Sequence, residues 1–385
     1  MRRLNNTILS LLIPIALLSR VGGQETAPSS LDIDRLEFIE SLHHDDLGSV
    51  NRLIISEDNK FLYAASWVPG TITVFTRDPL KGKIVHLQTL RMPEIEGAIK
   101  LAFNADQSRI GVICLRSTRV LLLARDGETG MVKKSGLIDS GATWPVSICF
   151  SPDSKFLYIA DAGGSSTARN APSSVLGFQI SESGEMTKIG KFVEPELKGA
   201  RDVVLSPDGK LLVAACSQGN SVVTFDRDTE NGILKKRQVF VDGKESPTLL
   251  AGAHAAIFNR AGTRLYVVSG RFEGDNGFTI FNVSKNGTVE FDCELEIAAP
   301  PYKGGNHLAI SSDEQFFFLS STQGNCIATA FLDTDTSKPV LLGIVNTDAG
   351  CDLNGASGLV LDRQENFLYA AAEKSSAITC IRLVR

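Results

Sequence analysis

Apolar residues along this chain come in short β-branched and aromatic runs divided by Pro-Asp-Gly and Gly-Asn turns, the pattern of antiparallel hairpins and not the 3.6-residue period of helices. The clearest unit spans 200–215, with Ser206-Pro207-Asp208-Gly209-Lys210 between two apolar runs, followed by Gly219-Asn220, a third run to Asp226 and a polar turn before Ile233. The same Ser-x-Asp core opens 56–65, 151–160 and 311–320, and looser copies occupy 104–113, 259–268 and 362–371. Aligned on one position, the copies place Tyr63, Gly111, Tyr158, Val213, Tyr266, Phe318 and Tyr369 in register, a period close to 51 residues. Each copy holds four predicted strands. One four-stranded sheet cannot bury both faces, so the sheets must stack in a ring that conceals most edges. The expected fold is all-β: a seven-bladed β-propeller with four-stranded antiparallel blades, forming a single domain over 34–385.

The last repeat has room for only three strands, at 359–361, 367–372 and 377–383. The alternating segment 36–42 supplies the expected fourth, so an N-terminal strand completes the last blade and closes the ring. Ahead of it, Arg2-Arg3, the apolar run 8–18 and Val21-Gly22-Gly23 read as a signal peptide over 1–23, with a polar leader over 24–33. Eleven apolar residues including Pro14 fall short of the ~20 needed to cross a bilayer. The expectation is a secreted or periplasmic protein with no stable membrane span.

The chain carries 39 basic and 44 acidic residues, a formal charge of −5, and loss of residues 1–23 with their three arginines takes it to −8. That balance opposes nucleic-acid binding, which needs a concentrated basic face; the run Lys235-Lys236-Arg237 falls on an outer strand. Seven scattered cysteines never form a C-x-x-C pair, so neither a zinc site nor a disulfide pairing can be read from their spacing. The expectation is no metal and no cofactor. The 163–167 segment lacks the lysine of a phosphate loop, and 270–277 reads as a solvent loop placed to reach over a channel mouth or touch a partner. Asn282 and Asn286 open glycosylation acceptor patterns.

In a propeller the connection into each innermost strand lies at one end of the central channel, so equivalent repeat positions form a ring there. Counting back from the aligned Ser position gives Asn51/Arg52, Ile99/Lys100, Val146/Ser147, Arg201/Asp202, His254/Ala255, Asn306/His307 and Ser357/Gly358. Trp144 and Asn354 stand on adjacent tips. Two of the five histidines fall on this ring beside three cations, while His43, His44 and His86 lie elsewhere. A histidine titrates near neutral pH and serves as general base; an arginine holds a carboxylate or phosphate through paired hydrogen bonds.

The segments Val74-Phe75-Thr76-Arg77-Asp78, Thr224-Phe225-Asp226-Arg227-Asp228 and Leu123-Ala124-Arg125-Asp126, together with the 206–210 element, resemble the seven-bladed lactonase family, whose best-known activity is 6-phosphogluconolactonase. Gly252-Ala253-His254, Gly305-Asn306-His307 and Gly199-Ala200-Arg201 are similar to the Gly-x-His and Arg-His elements such proteins show before an inner strand. The resemblance implies hydrolysis of a sugar-type lactone. In that reading His254 or His307 is the base, Arg201 clamps an anion, and Arg52, Lys100, Asp202 and Asn306 support the substrate. The chain departs from the family where a glutamate usually follows a central second strand: Val268-Ser269-Gly270 and Leu319-Ser320-Ser321 have none, and only Glu373 occupies such a position. Two other functions compete with hydrolysis. One is a non-catalytic propeller binding a protein or glycan partner through its rim loops; the other is a redox propeller, for which clustered ligands are missing.

Overall fold

The computed structural model describes residues 12–14, 35–164, 171–243, 247–270, 275–333 and 335–384. Seven antiparallel sheets follow one another along the chain. Blade 1 consists of Val50–Ile55, Phe61–Ser66, Thr71–Arg77 and Ile84–Arg91. Blades 2 to 6 repeat this order, with inner strands Ala98–Phe103, Pro145–Phe150, Ala200–Leu205, Ala255–Phe258 and Gly305–Ile310. Blade 7 takes Ala356–Leu361, Phe367–Ala372 and Ala377–Val384 from the end of the chain. Its fourth strand is Arg35–His43, paired antiparallel from Arg35↔Val384 to His43↔Ala377. The ring is therefore closed by the N-terminal strand. The short strand Leu12–Pro14 pairs in turn with Arg35–Glu37. The rest of the expected signal peptide and leader, and the centres of the 163–167 and 270–277 loops, lie outside the described residues. Among the described residues no helix is long and apolar enough to cross a membrane.

The Ser-x-Asp motif closes the turn between the first two strands of a blade. In blade 1 the Ser56 hydroxyl donates to Asp58 and accepts from the Phe61 N–H at 3.0 Å, while Asp58 accepts from the Lys60 N–H. Ser206 and Asp208 repeat the arrangement in blade 4. The core lies between blades, where second-strand residues such as Tyr63, Tyr158, Phe318 and Tyr369 are fully buried. Gly111, the copy without a side chain, faces Ile148 and Phe150, which occupy the space an added Cβ would need.

A latch recurs at three blade junctions. The Tyr158 hydroxyl donates to the Gly232 carbonyl of blade 4 at 2.7 Å, and Arg227 Nε donates back to that hydroxyl at 2.7 Å. Tyr63 with Gly130 and Arg125, and Tyr369 with Gly82 and Arg77, do the same for blades 1–2 and 7–1. Gly232 sits at φ +75°, and a Cβ there would lie 2.5 Å from the Phe156 ring, so both conformation and space demand glycine. The Arg-Asp pair of the outer turns thus has a packing reason: the arginine ties its blade to the tyrosine of the preceding one.

All seven cysteines are free thiols, six of them buried. Burial pushes the thiols of Cys114 and Cys216 up to about 12, consistent with small apolar fillers rather than nucleophiles.

Candidate functional site in the central channel

Six of the seven inner strands carry an irregularity at the same place. The pairing skips one residue after Val50, Ala98, Pro145, Ala200 and Gly305, and two after Ala356. Such a bulge turns neighbouring side chains in different directions, so the two residues of each ring pair have separate destinations. In five of the pairs the second member, Arg52, Lys100, Ser147, Asp202 or His307, goes to a common cluster.

Asp202 is the hub of that cluster. Its Oδ1 accepts from Lys100 Nζ, from the Ser147 hydroxyl at 2.6 Å and from the Val203 N–H at 3.0 Å; Oδ2 accepts from the Ala256 N–H at 3.1 Å. Lys100 also donates to Ser147 at 2.8 Å. Blades 2, 3, 4 and 5 are thereby joined around one carboxylate. Burial favours the neutral form of Asp202, but the charges of Lys100 and Arg52 and the hydrogen bonds from Lys100 and Ser147 outweigh it and hold the carboxyl below its usual range. Burial and the nearby Arg52 bring the Lys100 ammonium below the ordinary lysine value despite Asp202. Arg52, itself 9% exposed, and Lys100 bring two buried cations to this end of the channel.

His307 belongs to the same group. Burial, then the charges of Arg52 and Lys100, push its pKa well below the ordinary histidine value, so the ring is neutral at physiological pH. Its Nδ1 accepts the Leu359 N–H of blade 7 at 3.2 Å, which puts the ring proton on Nε2 and makes His307 a hydrogen-bond donor. His254 has the opposite tautomer. Its Nδ1 lies 3.1 Å from the Asn306 carbonyl, an acceptor only, so Nδ1 carries a proton, and in the neutral ring the lone pair is on Nε2. One histidine is arranged to donate and the other to accept.

The remaining ring residues are placed as follows. Asn306 donates through Nδ2 to Thr322 Oγ1 at 2.8 Å. Arg201 is half-buried, with Nε 3.3 Å from the Ser217 hydroxyl. Glu373 accepts from Asn51 Nδ2 at 3.2 Å, so the one glutamate following a second strand does reach a ring residue. Gly358 packs where an added Cβ would lie 2.6 Å from the Asn51 carbonyl; blade 7 can approach blade 1 only with glycine there. The ring thus brings together Arg52, Lys100, Asp202 and His307, joins His254 to Asn306, and sets Arg201 against Ser217. Ser217 directly follows the second strand of blade 4, as Glu373 does in blade 7; the sequence reading looked for a glutamate at that position and so passed over the serine.

Further along the same inner strands the wall becomes apolar. Ala102, Cys149, Val204 and Ile257, with Phe103, Phe150, Leu205 and Phe258, line a cavity of about 500 Å³ that ends at the Ser-x-Asp turns. The channel is therefore polar where the chain enters the inner strands and apolar where it leaves them.

Comparison with known proteins places this geometry in a family. Solved structures of similar fold include the periplasmic gluconolactonase of Pseudomonas aeruginosa, at 16% identity and a TM-score of 0.66 over 86% of this chain and 91% of that one. A candidate 6-phosphogluconolactonase from Bacteroides uniformis aligns at 16% identity and 0.65 over 82% and 93%. Hydrazine synthase of Kuenenia stuttgartiensis aligns at 17% identity and 0.66 over 89% and 97%. At such identities the likeness is one of fold, and proteins named for unrelated chemistry share it. A search of curated protein sequences returns no significant match. The sequence profile described as "Lactonase, 7-bladed beta-propeller" matches residues 32–143 and 138–251, more than half of the chain and four of the seven strand pairs that build the polar ring. With that match and seven closed blades, the chain belongs to the seven-bladed β-propeller lactonase family.

Proposed function

We propose that this protein is an exported hydrolase that opens a sugar-type lactone by addition of water at the polar end of the channel. The observation that carries the reading is the pair of oppositely arranged histidines, one of them within reach of the Arg52 and Lys100 charges. In this scheme His254 Nε2 takes a proton from water as the water oxygen bonds to the lactone carbonyl carbon. The carbonyl electron pair moves onto oxygen, and the His307 Nε2–H and the Lys100 and Arg52 charges stabilise that oxyanion. Collapse breaks the ring carbon–oxygen bond, and the proton held by His254 passes to the departing alkoxide, giving a hydroxy acid. Arg201 grips the carboxylate or phosphate of an acidic substrate. Export accords with the signal-like residues 1–23 and favours an unphosphorylated lactone, since sugar phosphates are chiefly cytoplasmic. Sequencing the N-terminus of secreted material should find Gln24.

A second reading rests on Asp202. Its oxygens already engage Lys100, Ser147 and two backbone N–H groups, so the cluster also works as a structural pin, as in a non-catalytic propeller that binds a protein or glycan through its rim. Proton release from a panel of sugar lactones separates the two. The hydrolase reading expects turnover above the uncatalysed rate and a loss of about 10²–10⁴-fold in His254→Ala with the fold unchanged by circular dichroism. Rates equal to background across the panel would establish the binding reading.

A further inference from the structure

Three residues that the sequence leaves unconnected meet where the closing strand hands over to blade 1. His44 follows that strand, Asp46 lies in the short 3-10 turn Asp45–Leu47, and His86 is on the outer strand of blade 1. One nitrogen from each imidazole and a carboxylate oxygen of Asp46 all lie within 4.8 Å of one another. The imidazoles stack, with centroids 4.6 Å apart and planes 12° from parallel. Asp46 is largely buried and accepts from Thr89 at 2.6 Å and from Arg91; His86 Nε2 lies 2.8 Å from the same Thr89 hydroxyl. From these residues we propose a binding site for a first-row transition-metal dication, of which Zn²⁺ is the probe.

The donor set is chemically suited to that class. Two imidazoles and one carboxylate are borderline-soft ligands of the kind Zn²⁺, Cu²⁺ and Ni²⁺ take, whereas Ca²⁺ and Mg²⁺ want oxygen alone. Tetrahedral coordination with metal–ligand distances of about 2.0 Å sets ligand atoms roughly 3.3 Å apart, so the three groups need only close in. Rotation of the His86 ring, which is exposed, achieves this. The dication replaces Arg91, 56% exposed at its side chain, as the cation on Asp46, and Thr89 is released from His86. A fourth position stays open to water. The bound metal ties the chain just past the closing strand to blade 1, a staple across the junction at which the ring is sealed.

Calorimetric titration of untagged full-length protein with ZnCl₂ in a non-chelating buffer tests this. The expected result is saturable binding of one equivalent, weakened at least tenfold in His86→Ala and in His44→Ala, together with a Zn²⁺-dependent rise in the thermal midpoint that both variants lose. Cu²⁺ should show hyperfine coupling to two nitrogens in its paramagnetic resonance spectrum. The buried cysteines do not compete in the folded chain. His43 lies 3.5 Å from Asp352 nearby, so His43→Ala serves as the control that should bind normally. Absence of saturable binding, or binding that survives loss of His86 and His44, would overturn the assignment; loss in His43→Ala alone would move the metal to His43 and Asp352 and equally overturn it.

Discussion

His307 is a neutral imidazole kept so by two cations and by enclosure, and this fixes how its site responds to acid. An unfolded chain protonates this histidine below about pH 6.5, whereas the folded pKa lies well under that value. The unfolded state therefore binds the extra proton first, and stability falls as pH drops below about 6.5, by up to ~1.4 kcal/mol per pH unit from this group until the folded pKa is reached. His307→Gln should flatten that acid limb, as read from urea midpoints between about pH 7 and pH 5. Parallel losses in parent and variant would place the acid sensitivity elsewhere. The residue was legible in the sequence because the repeat counts ring positions. Its role was not, because the tautomer depends on the Leu359 N–H, 52 residues away. The meeting of His44 and His86 was hidden for a similar reason: no ligand spacing links them along the chain, and only the outer strand's return across blade 1 brings His86 back.

The same limit applies to strands and turns. The aromatic residue in the second strand of most repeats read correctly as a buried strand position, and the Arg-Asp turn read as a family sign. What joins them is a contact between successive blades, Tyr158 to Arg227 across 69 positions, and a repeat pattern shows that both features recur without showing that they touch. Removing the hydroxyl in Tyr158→Phe leaves Arg227, 5% exposed, without that acceptor at Nε and frees the Gly232 carbonyl. The expected cost is about 1–3 kcal/mol, seen as a lower denaturant midpoint with an unchanged slope. Val213→Tyr in blade 4, where no latch exists, should bring no gain, since introducing an aromatic into a packed junction costs ~1–3 kcal/mol by overpacking. A gain there would mean that the latch depends on the tyrosine alone. The bulge at the head of six of the seven inner strands is the element that sequence reasoning missed altogether, and it decides which ring residues face the cluster.

For the molecule as a whole, the count of blades and the strand that seals them were both readable, because three strands in the last repeat demanded a fourth and only one unassigned segment alternated correctly. The sealing strand also protects a neighbour. Deleting residues 1–43 would strip Ala377–Val384 of its partner and present eight residues of open backbone at the edge, a template for pairing between copies. Size-exclusion chromatography of the truncated protein should show dimers and larger species; a well-behaved monomer would mean that closure is dispensable. The distance between the paired ends has a further effect in time. Arg35 and Val384 meet only after every intervening residue has been synthesised, and so long a loop is the last to form. Until then the chain is an open arc with its last blade one strand short, held from its final state by the order of its own making. A circular permutant with the break moved to a loop between blades, joining the present ends, would make that pairing local, and its folding would be governed by whichever junction now comes last.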